Sequence, residues 1–446
     1  MEGILQGLDW ETYGSEIVTH MGNLVRINTV NPPGNELAAA RYIADQFDRE
    51  NINSTILESA PGRASLIARI KGDGSQKPLL LMSHLDVVGV EPEKWTHDPF
   101  SAQISDGFMW GRGTLDCKNS VALWMMVMLI MSREKIVPKR DVIFLAAADE
   151  ETGGEYGAKW LVDNHFDLID AEAALNEGGG FGMEFMGKTF FTYQTAEKGN
   201  IWLRFTANGT AGHASMPKVD NPVLKVTDLV NRLSKLKLGF SVIDTVRQMV
   251  KVMASTQGFP VGLAMKQMLN RYLSDFIISA AIKDETIASG FRAMLNNTIC
   301  PTVLKAGHKV NVIPSQALAE LDIRVLPGHD QERMLAFIKK TAGNGFDVEV
   351  LDQVPPTESH LDHPLSESIR RAVKNHQPDS VLTPLLLPGS SDGAFLRSKG
   401  VVVYGFTPVL PVDDMDLAHG HDERISLESL RFSLEVGLET VLDFVL

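Results

Sequence analysis

Apolar positions along the 446-residue chain follow three different spacings. The first is the continuous run. Leu79-Leu80-Leu81-Met82, preceded by Pro78, ends in Ser83-His84-Leu85-Asp86. The run 142–148 ends in Asp149-Glu150-Glu151, and Ala173-Ala174-Leu175 ends in Asn176-Glu177 and three glycines. Short apolar runs with polar or glycine ends predict parallel strands buried on both faces. The second spacing is helical: Leu37, Ala40, Ile43, Ala44 and Phe47 share one face of a helix predicted over 36–51. A further helix is predicted over 119–133. Its apolar stretch, 121–131, is shorter than the about 20 residues that span a bilayer, so it predicts a buried helix. Strands alternating with helices imply an α/β layered domain.

The third spacing begins after Lys198. Residues 201–207, 317–325 and 347–351 alternate apolar and polar, as half-exposed strands do. A long helical stretch at 242–295 and a helix at 331–341 lie between them. Near Pro355-Pro356 the chain returns to the first pattern, and 426–446 reads as an amphipathic closing helix. The organisation expected is one discontinuous domain, 1–197 and 355–446, holding an inserted α+β domain over 198–354.

Composition changes this picture little. With 44% hydrophobic and 22% charged residues, the chain can build an ordinary core. A net charge of −14 argues against nucleic acid and anionic membranes as partners. Two cysteines, Cys117 and Cys300, offer no disulfide framework and fit a reducing compartment. Residues 1–9 have neither a basic nor an apolar leader region, so a cytoplasmic protein is expected.

The chemistry sits at the ends of the apolar runs, where open α/β sheets place their sites. His84, Glu151 and Glu177 occupy those ends. The loop Gly111-Arg112-Gly113-Thr114-Leu115-Asp116 adds Asp116, and Ala418-His419-Gly420-His421-Asp422-Glu423 adds His419. Each piece alone is ordinary: a His-x-Asp is common, and adjacent glutamates are usually solvated. Together, two histidines and three carboxylates exceed one catalytic zinc shell with an open position and suit a pair of ions. Neighbouring residues at a strand end point to opposite sides, so one of Glu150 and Glu151 can ligate while the other reaches a water.

These stretches resemble the co-catalytic zinc peptidases and deacylases, the family of acetylornithine deacetylase, succinyl-diaminopimelate desuccinylase, aminoacylase, carboxypeptidase G and carboxypeptidase S. The resemblance runs from about residue 20 to the C-terminus. It implies a mixed-sheet, di-metal aminopeptidase-like catalytic domain with an inserted two-layer, ferredoxin-like dimerisation or lid domain. It also implies roles. Asp116 bridges two divalent ions, zinc first, with cobalt or manganese as alternatives. His84 and Glu177 complete one shell, Glu151 and His419 the other. Asp86 holds the His84 ring by its second nitrogen, and Glu150 is the general base. His213, in Gly209-Thr210-Ala211-Gly212-His213, matches the histidine that stabilises the oxyanion, often from the partner of a homodimer. Arg324 resembles the arginine that takes a substrate carboxylate, with Asn297 and Gly389 lining the pocket. The activity implied is hydrolysis of the amide bond of N-acyl-amino acids or short peptides with a free C-terminal carboxylate. A dipeptidase or a biosynthetic deacylase is the alternative within the family.

Two rival readings use other residues. Gly389-Ser390-Ser391-Asp392-Gly393 fits the nucleophile elbow of a serine hydrolase, with Asp414 or Asp416 and His419 following. It leaves His84, Asp116, Glu151 and Glu177 unexplained. A non-catalytic binding relative would be expected to have lost a ligand or the base, and every expected position is filled.

Overall fold

The computed structural model describes residues 1–446, the side chain of Glu2 excepted. Its contacts divide the chain into two compact units. The first is Met1–Thr195 with Ser359–Leu385 and Ser391–Leu446; the second is Ala196–Glu358 with Leu386–Ser390. The alternating segment lies within the second unit. Leu386–Ser390 goes with it because Lys198 N donates to Leu387 O (3.1 Å), a pairing between segments remote in the chain.

In the first unit the strands are ordered Ser54–Ala60, Arg63–Ile70, Arg140–Ala147, Gln76–His84, Ala173–Asn176, Val402–Gly405 and Lys188–Glu197. The middle four run parallel, and the flanking pairings are antiparallel, so the sheet is mixed. Three of the four parallel strands are the continuous apolar runs. Both faces of the sheet are covered: Leu79 and Leu81 join one core cluster and Leu80 and Met82 the other. A strand buried on both faces gains from an apolar residue at every position, which is why these runs do not alternate.

The helix Lys118–Arg133 is buried from Lys118 to Met131. The closing helix Leu427–Val445 differs from expectation, being buried nearly all round rather than amphipathic. It packs against the helices Trp10–Arg26, Lys118–Arg133 and Pro364–His376. Two of its polar residues find partners inside: Ser429 Oγ accepts from Leu410 N (2.9 Å), and Glu439 accepts from Asn375 and His376. The packing, not the sequence period, decided its environment.

The second unit holds a four-stranded antiparallel sheet ordered Thr298–Ala306, Gln316–Val325, Gly199–Asn208, Asp347–Val354. With the helices Pro222–Leu233 and Gln331–Ala342 it follows the strand–helix–strand–strand–helix–strand order of a ferredoxin-like layer pair. Ile201, Leu203, Phe205 and Ala207 alternate into the core with Val226, Leu229, Leu335 and Ile338. The long helical stretch resolves into four helices, Asp244–Ser255, Val261–Gln267, Ser274–Ala281 and Glu285–Leu295. Gly258-Phe259-Pro260 breaks it after the first, and Asp284 caps the last through Thr286 N and Ile287 N. Among the described residues no helix is long and apolar enough to cross a membrane.

Candidate metal centre

The carboxyl ends of the parallel strands converge. His84 is the last residue of Gln76–His84, and Glu177 follows Ala173–Asn176. His84 Nε2 lies 3.1 Å from both Glu177 Oε2 and Asp116 Oδ1. The other Asp116 oxygen, Oδ2, lies 3.0 Å from His419 Nε2, and Glu151 Oε2 lies 3.2 Å from the same nitrogen. Asp116 therefore turns one oxygen to each imidazole, and two donor sets share it: His84, Asp116, Cys117 and Glu177, and Asp116, Glu151 and His419.

Two loops carry Asp116 and His419, which do not sit on strand ends. Glu423, fully buried, accepts from the main-chain nitrogens of Gly113, Leu115 and Asp116 (3.0, 2.7 and 3.2 Å) and from Arg112 Nη1 (2.6 Å). Arg112 Nη2 in turn donates to the carbonyls of His419 and Gly420 (3.3 and 2.8 Å). One buried ion pair thus fastens the Asp116 loop to the His419 loop. Glu423 and Arg112 stand in the sequence motifs, but nothing in their local pattern tells a loop-fastening pair from solvated charges.

Glu150 and Glu151 do not extend from the strand. Arg140–Ala147 ends, Asp149 adopts a left-handed conformation (φ 69°), and Glu150–Thr152 form a 3-10 turn. The two side chains diverge because successive residues of such a turn are rotated by about 120°, not by strand alternation as expected. Asp86 holds the turn: its carboxylate accepts from Glu150 N and Glu151 N (both 3.1 Å) and from Asn31 Nδ2 (2.8 Å). His84 Nδ1 makes its hydrogen bond to the main-chain oxygen of Asp86 (3.0 Å), with the carboxylate at 3.4 Å. Asp86 meets the ring chiefly through its carbonyl, because its carboxylate is drawn to the turn. Behind it, Arg63 bridges Glu36 and Asp149, and Asn31 also donates to Asp149 (3.0 Å).

The electrostatics suit cations. Burial disfavours charge on His84, but Cys117, Glu177 and the two aspartates outweigh it and hold its pKa well above the usual value. Hydrogen bonds that the ring donates to Asp116 and Glu151 push His419 up to about 10. Burial, then the charges of Glu177 and Asp392, raise Glu150. Burial also raises Asp392, a residue without an expected role, whose buried Oδ2 has no hydrogen-bond partner among the described residues. Glu151 Oε1 is similarly orphaned. Imidazoles and carboxylates facing one another, with an unsatisfied buried carboxylate oxygen, make the donor set a pair of divalent ions requires.

The remaining expected residues belong to the second unit. His213 is exposed, in a short strand Gly212–His213, with Nδ1 2.7 Å from Ser215 Oγ. Arg324 forms a two-pronged pair with Asp322 (2.7 and 2.8 Å) and donates to Ser390 Oγ (3.3 Å), beside Gly389. Asn297 is nearly buried: Nδ2 donates to Leu238 O and lies 2.7 Å from His329 Nδ1, and Oδ1 accepts from Leu326 N. Ser391, in the first unit, accepts from Asn176 Nδ2 (3.2 Å) and Gly393 N (3.3 Å). His419 points instead at Asp116 and Glu151, so the serine elbow does not assemble a triad with it.

A mixed sheet with paired carboxylate–imidazole donor sets at its carboxyl edge defines a metallohydrolase architecture. Residues 80–443 match the model of Peptidase family M20/M25/M40, and the chain belongs to that family. It is an amide-bond hydrolase of this family. It is 28% identical over 415 residues to human N-fatty-acyl-amino acid synthase/hydrolase PM20D1, covering 90% of this chain and 81% of the relative. The M20 family metallo-carboxypeptidase Sso-CP2 of Sulfolobus solfataricus shares the fold, with a TM-score of 0.75 at 18% identity over 96% of this chain and 99% of that one. So does Bacillus subtilis YXEP, described as a dinuclear metal binding peptidase, with a TM-score of 0.61 at 14% identity over 98% and 99%.

Proposed function

We propose that the chain hydrolyses N-acyl-amino acids or short peptides bearing a free C-terminal carboxylate, using two divalent ions, zinc in first place. The observation that carries this is Asp116, whose two oxygens face different imidazoles (3.1 and 3.0 Å). His84 and Glu177 would complete one shell and Glu151 and His419 the other. Bound there, the ions would supply a water of lowered pKa and a polarised scissile carbonyl. Glu150 takes the proton of the attacking water and passes it to the nitrogen released as the C–N bond breaks. Its raised pKa suits a base that must also act as an acid. Asp86 keeps the Glu150–Glu151 turn and the His84 ring in place. His213 donates to the oxyanion, Arg324 takes the substrate carboxylate through Nη1, which its pair with Asp322 leaves free, and Gly389 and Asn297 shape the same pocket.

The relatives support this substrate class, since one is described as an N-fatty-acyl-amino acid hydrolase and others as probable succinyl-diaminopimelate desuccinylases. The reading includes a cytoplasmic homodimer assembled through the inserted unit. The test is a hydrolysis screen of N-acyl-amino acids against dipeptides with zinc, manganese and cobalt. Chelator-sensitive release of a free amino acid is expected. Hydrolysis that survives complete metal removal would overturn the reading.

A further inference from the structure

The two donor sets are not chemically equivalent. The set of His84, Asp116 and Glu177 contains a fourth donor, Cys117 Sγ, and these donor atoms lie within 4.8 Å of one another; the set of Asp116, Glu151 and His419 has no sulfur. We propose that Cys117 is a direct ligand of the ion held by His84 and Glu177, which makes that half of the centre selective for zinc over manganese. The proposal rests on the two-metal reading above and specifies which ion each half prefers.

Three observations carry it. Around a four-coordinate zinc, bonds of about 2.0–2.3 Å place donors roughly 3.3–3.8 Å apart. His84 Nε2 lies 3.1 Å from both carboxylate oxygens and the sulfur within 4.8 Å of these donors, so one ion gathers all four when the sulfur shifts inward. Second, the sulfur is held in place rather than free to turn away: His84 N donates to it (3.4 Å), and it contacts His84 O (3.6 Å). It is therefore fixed against the same residue that supplies the imidazole. Third, Cys117 is the N-cap of the sixteen-residue helix Lys118–Arg133, which fixes its place at the buried start of that helix. It is 2% exposed, so no solvent competes for it.

Thiolate favours zinc, whereas carboxylate and water suit manganese. The sulfur binds as thiolate, its proton passing to water when the ion enters. The half built on Glu151 and His419 keeps only hard and borderline donors. A mixed-metal enzyme follows, with zinc retained by the first half when the second exchanges.

Cobalt decides the matter, because a cobalt–thiolate bond gives an intense charge-transfer absorption in the near ultraviolet that nitrogen and oxygen ligands do not. The chain has only two cysteines, and the other, Cys300, is exposed. Metal-free protein is reloaded with cobalt, and the ions bound per chain are counted by elemental analysis. Wild type and Cys300→Ser should show the band, and Cys117→Ser should lose it while still folding by circular dichroism. In competition, Cys117→Ser should lose zinc affinity at one of its two ions by roughly 10–100-fold and manganese affinity little. Two bound cobalt ions without the band in wild type would overturn the proposal and leave the two-metal reading standing. Failure to bind cobalt at all would overturn both. Should Cys117→Ser not fold, the comparison of wild type with Cys300→Ser still decides, since only Cys117 then remains to give the band.

Discussion

Asp116 and Glu150 are both carboxylates of the same cluster, yet their surroundings assign them opposite tasks. Asp116 is held well below the usual carboxylate range: burial opposes its ionisation, but the hydrogen bonds of His419 and His84 outweigh it. It stays an anion, as a shared ligand must. Glu150 has no such partner and is raised, as proton traffic requires. Asp116→Ala is therefore expected to lose metal, read by elemental analysis. Glu150→Gln should keep the metal and lower kcat by about 10²–10⁴. Metal loss in Glu150→Gln with retention in Glu151→Gln would exchange the two roles. At this scale the five ligand types were legible because each stands at a strand end or glycine loop. Cys117, Asp392 and Glu423 were not, because a cysteine, aspartate or glutamate beside a motif gains meaning only from what the fold brings against it.

Among the elements, the turn after Arg140–Ala147 governs the base and one ligand together. A Cβ on Gly157 would lie 1.6 Å from Ala148 O, so only glycine lets the chain fold back against the residue that leads into Asp149-Glu150-Glu151. Gly157→Ala should displace that turn and weaken one of the two bound ions, checked by metal titration. Arg63 balances Glu36 and Asp149 behind the turn, with 8% exposure of its own. Arg63→Met leaves both carboxylates uncompensated and should cost about 3–5 kcal/mol in urea denaturation. A pH test belongs to the helix Trp10–Arg26. Hydrogen bonds from His20 and Arg133 lower Glu16 from the usual carboxylate range to about 2. A depressed carboxylate pKa stabilises the fold above the unfolded value and loses that contribution as pH falls through the folded one. The stability difference between wild type and Glu16→Gln should then be constant above pH 5 and shrink between about 4.5 and 2; a difference unchanged over that window would remove Glu16 from the acid response.

For the whole molecule, the proposal puts His213 in the reaction although it belongs to the second unit. An imidazole N–H on the oxyanion is worth about 2.7–4 kcal/mol, so His213→Ala should lower turnover strongly with metal content intact. If a partner subunit supplies it, mixing inactive His213→Ala and Glu150→Gln chains should restore partial activity in mixed dimers. Activity that never returns in verified mixed dimers would place the histidine's action within its own chain. A normal rate in His213→Ala would remove it from the mechanism.

What the sequence by itself determined is periodic or local. Short runs of apolar residues between polar or glycine ends make strands covered on both faces, as in Gln76–His84, and the longer run 121–131 makes a buried helix. Alternation demands one covered face, as in Gly199–Asn208. The residues at strand ends follow from chain direction alone. The tertiary structure decided whatever depends on segments distant in the chain. It buried the closing helix all round, since four helices share that core. It turned the Asp86 carboxylate towards the Glu150–Glu151 turn, and it locked Arg112 to Glu423 across 311 positions. Backbone amides and buried charges take whichever partners packing brings within reach, and no period in the sequence records that choice.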